Sequence, residues 1–280
     1  MKVLVIVSQT QDTEAKIKVA SEGDRIDTSG IKWILNPYDE FAVEEAIRIK
    51  EKLGGEVVLI TAGPDRAIEA LRQGLAMGAD RSVFIKDPGF ELADPYVFGK
   101  VIGHVIKNLD EKFDIILTGM KTIDEETGQI GIQIAEELGI PHVNVVNKIV
   151  EIDPDGKKVV CQKEIDSGQA IVEAQLPALL TCPDAMNEPR YASLPGIMKA
   201  KKKPLKEVTL KDVDLEALGL SKESVGKAGA RVKTTQIQIP EIERKLKIIK
   251  GEDEPMVKGE AVAKAARELA KLLREEAKVI

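Results

Sequence analysis

The sequence contains few aromatic residues, cysteines and histidines. Only 3% of its 280 residues are aromatic, so a core must be built mainly from Val, Ile, Leu and Ala. The two cysteines, Cys161 and Cys182, supply neither a disulfide framework nor a metal cluster. Each lies in an apolar run, which favours a buried, unreactive thiol. The two histidines, His104 and His142, lack an accompanying acid–base motif. The chain therefore offers no set of side chains that would carry out bond-making catalysis.

Several common sequence signatures are also missing. There is no Walker-type Gly-Lys-Ser/Thr, no GxGxxG and no Ser-Gly-Gly loop after the first strand, which argues against an adenylating ligase. No apolar run is as long as a membrane span, and no signal peptide precedes the first predicted strand, so a cytoplasmic protein is expected. The net charge of -6 argues against nucleic acid. A lysine cluster at 199–206 lacks interleaved aromatics, and we interpret it as a solvated linker face.

Apolar runs alternate with amphipathic segments over the first 140 residues. Predicted strands lie at 3–7, 56–61, 82–85 and 114–118. Predicted helices lie at 40–53, 65–77, from Pro95 onward, and at 128–138. Continuous apolar strands are typical of a parallel sheet that is buried on both faces. We therefore expect an α/β fold with a doubly wound, mostly parallel sheet.

The pattern changes after Pro141. Segments 143–152, 158–164 and 170–174 predict an antiparallel β-meander, and 177–181 predicts one more short strand. Residues 205–255 are polar and are expected to form an extended C-terminal arm, with a strand-like segment at 231–240. Helical spacing of apolar residues predicts an amphipathic helix over 259–278, which packs either on another chain or on its own domain. The predicted division is an α/β domain at 1–204 and an arm plus helix at 205–280.

The segment at 119–131, GMKTIDEETGQIG, joins a predicted strand to a predicted helix. In an open α/β sheet, ligands bind in the crevice at such junctions. Free N–H groups and the positive dipole end of a helix suit a phosphate. Thr127 and Gln129 add donors, while Gly128 and Gly131 permit a close approach to the backbone. The same residues are also compatible with an ordinary loop that has a capping threonine.

The segment NEPRYASLPGIMKAKKK at 187–203 strongly resembles a segment of electron transfer flavoprotein β subunits. Similar motifs follow the family's order over nearly the whole chain: the VLV-type first strand, NPxD at 36–39, AVEEA at 42–46, GADR at 78–81, the loop at 119–131 and LPA at 176–178. The resemblance implies a fold similar to adenine-nucleotide hydrolases. It also implies a heterodimer with an α subunit, in which a bound flavin carries the chemistry.

The resemblance further implies an adenine-nucleotide pocket and a recognition loop. The residues expected around adenine and ribose are Ile6, Asn36, Pro37, Tyr38, Asp39 and Ala62. Those expected at the phosphates are Gly119, Lys121, Thr122, Asp124, Thr127, Gly128, Gln129, Ile130 and Gly131. Tyr38 either lines the interface flavin or is a core aromatic beside a proline. The loop at 184–198 is expected to recognise partner dehydrogenases through Met186, Asn187, Glu188, Pro189, Arg190 and Tyr191. Met186 would anchor it in a partner pocket.

Two branches of the family differ in the cofactor that the β subunit holds. In the simple branch the β subunit holds a structural AMP. In the electron-bifurcating branch it holds an FAD that accepts hydride from NADH. The electrons then divide between the α-subunit FAD, which serves an acyl-CoA or other dehydrogenase, and a ferredoxin or flavodoxin. Thr127-Gly128 and the long C-terminal extension resemble the bifurcating branch, whereas Glu125-Glu126 depart from it.

We therefore expect a bifurcating-type β subunit that contains FAD and uses NADH as the electron donor. The alternative is a non-bifurcating β subunit with AMP, for which a membrane-associated quinone oxidoreductase is a candidate partner. A nucleotide-sensing binding module is a third hypothesis. The NEPRY segment at 187–191 argues against that hypothesis, because a sensor needs no recognition loop.

Overall fold

In the computed structural model of the chain, residues 1–240, 246, 248–249 and 260–279 are described. The chain divides into two units, Met1–Ile237 and Gln238–Ile280. The strands are β1 (Lys2–Ile6), β2 (Gln9–Gln11), β3 (Trp33–Leu35), β4 (Glu56–Gly63), β5 (Arg81–Lys86), β6 (Ile115–Gly119), β7 (His142–Val143), β8 (Val146–Asp153), β9 (Lys158–Ile165), β10 (Gly168–Gln175), β11 (Ala178–Cys182) and β12 (Leu205–Thr209). The α-helices are α1 (Pro37–Leu53), α2 (Ile68–Met77), α3 (Pro95–Lys107), α4 (Ile130–Leu138), α5 (Leu194–Ala200) and α6 (Glu260–Glu275).

The central sheet has seven strands in the order β12-β5-β4-β1-β6-β11-β7, and every neighbouring pair is parallel. The chain leaves β1 towards β4 and β5 on one side, and then returns to β6 on the other side of β1. This reversal makes the carboxyl ends of β1 and β6 the topological switch point, where doubly wound folds bind ligands. The predicted doubly wound α/β fold is confirmed.

Alternate residues of β1 supply two separate cores. Val3 and Val5 pack with α1 and α2, whereas Leu4 and Ile6 pack with α3 and α4. All four side chains are at most 1% exposed, which is why the strand reads as a continuous apolar run. Helices therefore cover both faces of the sheet, and a ligand site is expected at the ends of its strands.

The predicted β-meander is present as β8, β9 and β10, which form an antiparallel three-stranded sheet. Its inner face contributes Val159, Cys161 and Ala174 to the core beside α1 and α2. Cys161 and Cys182 are both free and buried, as expected. Burial raises the pKa of the Cys161 thiol to about 12 and that of Cys182 well above its usual value, so both are unreactive at neutral pH.

The region after residue 204 differs from the prediction. Leu205–Thr209 forms β12, the edge strand beside β5, and so extends the central sheet. Five apolar side chains then enter the core against α3: Leu210, Val213, Leu218, Leu220 and Val225. The predicted boundary at 204 is therefore displaced to Ile237–Gln238. The few apolar residues of this polar stretch were sufficient to hold it on the main unit.

Residues 231–240 form no strand, contrary to the expectation. The backbone N–H groups of Arg231 and Val232 donate instead to the Asp94 carboxylate, and the Arg231 guanidinium lies over the Tyr96 ring. The lysine cluster is also not uniformly solvated. Lys203 Nζ donates to the carbonyls of Leu75 and Ala79 at the end of α2, which removes it from the exposed set.

The C-terminal helix α6 covers Glu260–Glu275, within the predicted range of 259–278. Val262 and Leu269 on this helix are 53% and 47% exposed. In the described parts of the chain, no helix is long and apolar enough to cross a membrane.

Candidate nucleotide site

A pocket lies at the carboxyl ends of β1 and β6, at the switch point of the sheet. Its walls come from the end of β1, the start of α1, and the segment from β6 into α4. The lining residues are Ser8, Asn36, Asp39, Thr118, Gly119, Met120, Lys121, Thr122, Thr127, Gly128, Gln129, Ile130 and Gly131. Two of the segments predicted to form one nucleotide site, 36–39 and 119–131, therefore meet in space.

Asp39 connects the strand ends that form the base of this pocket. One carboxylate oxygen accepts the Ser8 N–H at 2.7 Å and the other accepts the Gly119 N–H at 2.8 Å. These two donors are the free N–H groups at the ends of β1 and β6. Asp39 is only 2% exposed, and this burial raises its pKa to about 7 even though the two N–H groups favour the charged form. Asp39 thus holds both strand ends to the first turn of α1.

Asn36 fixes the loop that follows β6. Its side-chain N–H₂ donates to the Lys121 carbonyl at 3.0 Å, and its side-chain oxygen accepts the Ile123 N–H at 3.1 Å. Asn36 is fully buried. The side chains of Asn36 and Asp39 are thus hydrogen-bonded to backbone groups, and both residues line the pocket whose shape they fix.

Two glycines are required by close packing around the pocket. A Cβ on Gly119 would lie 2.5 Å from Asp39 Oδ1 and 2.8 Å from the carbonyl carbon of Tyr38. A Cβ on Gly131 would lie 2.6 Å from Thr118 Cγ2. Both contacts are far shorter than van der Waals separation. The first glycine lets α1 approach β6, and the second lets the first turn of α4 approach the sheet.

The N-terminus of α4 opens into the pocket. In the described structure no side chain caps this helix, whose N-cap residue is Gln129. The first intrahelical hydrogen bond runs from the Gln133 N–H to the Gln129 carbonyl. The N–H groups of the first turn, before Gln133, therefore have no acceptor within the helix. Gly128 adopts φ +62°, which turns the chain into the helix. Thr127 and Gln129 are exposed at this turn. This arrangement offers uncapped donors and a positive dipole end to an anion.

The charged residues of the loop mostly face away from the pocket. Lys121, which lines it, pairs with Glu126 at 2.8 Å and lies 5.6 Å from the Tyr38 ring centroid. The hydrogen bond to Glu126 raises the pKa of Lys121. Burial, and then the charges of Asp124 and Asp94, raise the pKa of Glu125. Asp124, Glu125 and Glu126 are outside the lining, so the acid that lines the pocket is Asp39, while the donors for an anion are the N–H groups at the start of α4.

Some predicted site residues lie beside the pocket and do not line it. The side chains of Ile6 and Ala62 belong to the core next to α3, so only their backbone could face a ligand. Pro37 and Tyr38 are half-buried at the start of α1, and Asp124 is exposed. Sequence reasoning missed three lining residues, Ser8, Thr118 and Met120. The rule that ligands gather at carboxyl strand ends could have found them, since Thr118 and Met120 adjoin the predicted Gly119 and Ser8 lies two residues after the predicted Ile6.

The predicted recognition residues lie against α1, and none of them lines the pocket. Asn187 donates to the Phe41 carbonyl at 3.0 Å and to Glu45 at 3.1 Å. Met186 is half-buried against the core, Pro189 is half-buried and Glu188 is exposed. Arg190 forms ion pairs with two glutamates of α1, whereas Tyr191 is 99% exposed. The segment therefore faces inward at Asn187 and Arg190 and outward at Tyr191.

Comparison with known proteins agrees with this architecture. Residues 25–213 match the family model described as "Electron transfer flavoprotein domain". The chain is 38% identical over its full length, and over the full length of the relative, to an electron transfer flavoprotein subunit beta of Bacillus subtilis. It is 39% identical to one of Syntrophomonas wolfei, with 100% of this chain and 98% of the relative covered.

A further relative carries a more specific name. The "Caffeyl-CoA reductase-Etf complex subunit CarD" of Acetobacterium woodii is 38% identical, with 79% of this chain and 84% of the relative covered. Full-length similarity to β subunits and a family match that spans most of the chain establish its membership. The chain belongs to the electron transfer flavoprotein family, as a β subunit.

Proposed function

We propose that this β subunit is of the electron-bifurcating type and binds FAD in the pocket formed by residues 119–131. Electron transfer as an electron transfer flavoprotein β subunit, and pairing with an α subunit, follow from family membership. The choice of FAD, of NADH as donor and of the acceptors is the proposal. The uncapped N-terminus of α4 at the topological switch point supports a phosphate site, and Thr127 followed by the small Gly128, which resembles the bifurcating branch, favours FAD over AMP there.

The pocket has the features that the diphosphate part of FAD requires. The N–H groups at the start of α4 are available to phosphate oxygens, and Thr127 and Gln129 can add side-chain donors. A side chain at position 128 would be strained at φ +62° and would lie 3.3 Å from the Met120 carbonyl. Glycine at this turn therefore keeps the entrance to the donors open. The residues present fit the phosphate groups of a nucleotide.

FAD, when bound there, would accept a hydride from NADH and pass its electrons on singly, one towards the α-subunit FAD and a dehydrogenase, and the other towards a ferredoxin or flavodoxin. The protein's own role is positional. Asp39 and Asn36 hold the strand ends and the loop after β6 in register. The N–H groups of α4 bind negative charge without having to reorganise, because their direction is fixed by the helix.

The name of one relative bears on the class of electron partner. One relative is named as a subunit of a complex with caffeyl-CoA reductase. We propose an acyl-CoA or similar CoA-thioester dehydrogenase as partner, which docks on the loop at 184–198. Tyr191, Leu194 and Met198 are 99%, 79% and 73% exposed in this region and supply an apolar surface. We also propose that the apolar face of α6 packs on the α subunit.

The alternative is a non-bifurcating β subunit that holds AMP and serves a membrane-associated quinone oxidoreductase. It is favoured by the acidic pair Glu125-Glu126, which departs from the pattern of the bifurcating branch at this loop. The same donors at α4 would hold the single phosphate of AMP. The two proposals differ in their reactivity towards NADH.

Anaerobic titration of the heterodimer with NADH separates the two proposals. The bifurcating type is expected to consume two equivalents of NADH per heterodimer, because two FAD are reduced, with bleaching of flavin absorbance in both steps. Dithionite titration of the same sample provides the total reducible flavin as a control. Absence of rapid flavin bleaching by NADH, with full bleaching by dithionite, would contradict the bifurcating type and favour the AMP type.

A further inference from the structure

A charged network centred on Glu44 holds the segment 187–191 against α1. The Glu44 side chain is 3% exposed. Its carboxylate accepts hydrogen bonds from Arg48 Nε at 2.7 Å, from the Arg190 backbone N–H at 3.1 Å, and from Arg190 Nε and one Nη at 2.8 and 3.2 Å. Arg190 also pairs with Glu51 at 2.7 and 3.1 Å. One buried carboxylate thus binds both the side chain and the backbone of Arg190.

This network is strong because Glu44 is charged and buried. Burial alone would raise the pKa of Glu44, but the hydrogen bonds from Arg190 and Arg48 outweigh it and lower the pKa below its usual value. A buried carboxylate is costly unless it is paired, so Arg190 cannot leave Glu44 without penalty. A planar guanidinium also fixes direction, which a lysine would not. The network therefore sets the path of the backbone at Arg190.

Two further contacts keep the rest of the segment in place. Arg48 donates to the Glu188 carbonyl at 3.1 Å, and Asn187 donates to the Phe41 carbonyl at 3.0 Å. Arg48 is itself held by Glu44, so it links the carboxylate to the segment a second time. With residues 187–190 fixed, the next side chain, Tyr191, is directed into solvent and is 99% exposed.

An exposed aromatic on a rigid backbone is well suited to docking. Ordering a mobile segment on association reduces affinity, and a segment that is already ordered avoids that loss. Tyrosine also supplies a large contact area with few rotatable bonds and is enriched among residues that dominate binding energy. Glu44 and its partners Arg48 and Arg190 are outside the pocket lining, so the effect of the network on docking can be separated from nucleotide binding.

We propose that Glu44 is a positioning residue for partner docking, and that through Arg190 it holds Tyr191 in the outward orientation that the dehydrogenase contacts. This inference rests on the proposed docking role of residues 184–198. Glu44 acts on the partner only through Arg190 and the backbone, since it is itself buried.

The test uses the full-length chain in its heterodimer with the α subunit. The probe is a purified acyl-CoA dehydrogenase from the same genome, reduced by butyryl-CoA, and the measured rate is anaerobic reduction of flavin in the heterodimer. Glu44→Gln is expected to raise the KM for the dehydrogenase about tenfold, with kcat and nucleotide content unchanged. Arg190→Gln is expected to do the same. It provides a second variant that leaves Glu44 paired with Arg48.

Glu111→Gln is the matched control. Glu111 also accepts hydrogen bonds from a lysine and an arginine, Lys2 at 2.7 Å and Arg81 at 2.5 Å, but it lies at the amino edge of the sheet. The KM of the Glu111→Gln heterodimer for the dehydrogenase is expected to equal the wild-type value. Hydrogen exchange adds a direct measurement. The amides of residues 187, 188, 190 and 191 are expected to exchange faster in Glu44→Gln and Arg190→Gln and at the wild-type rate in Glu111→Gln.

Tyr191→Ala distinguishes failure of this inference from failure of the docking proposal. If Tyr191→Ala leaves KM unchanged, the docking role of the segment is overturned, and the positioning role with it. If Tyr191→Ala raises KM while Arg190→Gln leaves both KM and exchange at wild-type values, the positioning role alone is overturned. Loss of nucleotide in Glu44→Gln, together with a wild-type KM in Arg190→Gln, would likewise assign Glu44 a purely structural role.

Discussion

Substitution of Gly119 by alanine is expected to disrupt the pocket at its floor. The new Cβ would lie 2.8 Å from the carbonyl carbon of Tyr38, and contacts begin to be ordinary at 3.4 Å. The start of α1 would therefore have to move away from β6 by roughly 0.6 Å. Overpacking of this kind costs about 1–3 kcal/mol of stability. The melting temperature of a domain of this size is then expected to fall by about 2–4 °C for each kcal/mol.

The same substitution is expected to remove most of the bound nucleotide, although the protein stays folded. The Cβ at position 119 would also lie 2.5 Å from Asp39 Oδ1, the atom that accepts the Gly119 N–H. Displacement of this carboxylate releases the ends of both β1 and β6 from α1. We expect the purified Gly119→Ala heterodimer to retain less than a tenth of the wild-type nucleotide at the β-subunit site, measured by chromatography after denaturation.

Gly139→Ala is the matched control for this prediction. Gly139 follows α4 at φ +68°, and a Cβ there would meet no atom within 4 Å. It carries only the backbone strain of a left-handed residue, about 1–2 kcal/mol. Its melting temperature should fall by a similar amount while nucleotide content stays at the wild-type level. Full nucleotide retention in Gly119→Ala, or an equal loss in Gly139→Ala, would refute the packing argument.

Three further predictions address the titration of the floor, the mouth of the pocket and the subunit contact. Because the folded-state pKa of Asp39 is about 7 and the usual value is 3.8, the folded chain binds more protons, and its stability should fall as pH rises from about 4 to 7, by up to about 1.4 kcal/mol per pH unit. Asp39→Asn should remove this slope in melts across that range, and an unchanged slope would contradict the assignment. Thr127→Arg should fill the mouth of the pocket and abolish nucleotide retention without a change in circular dichroism, whereas a full nucleotide complement would show that Thr127 does not border the ligand. Deletion of 256–280 should weaken the pairing with the α subunit on size-exclusion chromatography, and an intact heterodimer would mean that α6 packs locally.

The central sheet and the location of the pocket could be predicted because they follow from local patterns. Continuous apolar runs such as β1 indicate strands buried on both faces, and the glycine-rich junction after β6 marks a strand end. Contacts between distant segments could not be predicted in this way. Glu44 and Arg190 are 146 residues apart, and nothing near either residue indicates that they pair.

The role of Asp39 and the end of the main domain were also not evident from the sequence. The resemblance placed Asp39 near the ligand, but its hydrogen bonds to two strand ends depend on how α1 crosses the sheet. The polar segment after residue 204 was expected to be an arm. Leu205–Thr209 joins the sheet because one edge of β5 is unpaired without it. Whether a strand edge is free depends on the order of the strands, which local composition does not indicate.

A count of nucleotides in the purified heterodimer tests the proposed cofactor of this subunit most directly. The complex of this chain with its α subunit would be denatured, and FAD and AMP would be quantified by chromatography against protein concentration. We expect two FAD per heterodimer and no AMP, with one FAD lost in the Gly119→Ala variant. One FAD and one AMP per wild-type heterodimer would contradict the bifurcating assignment and place AMP at the N-terminus of α4.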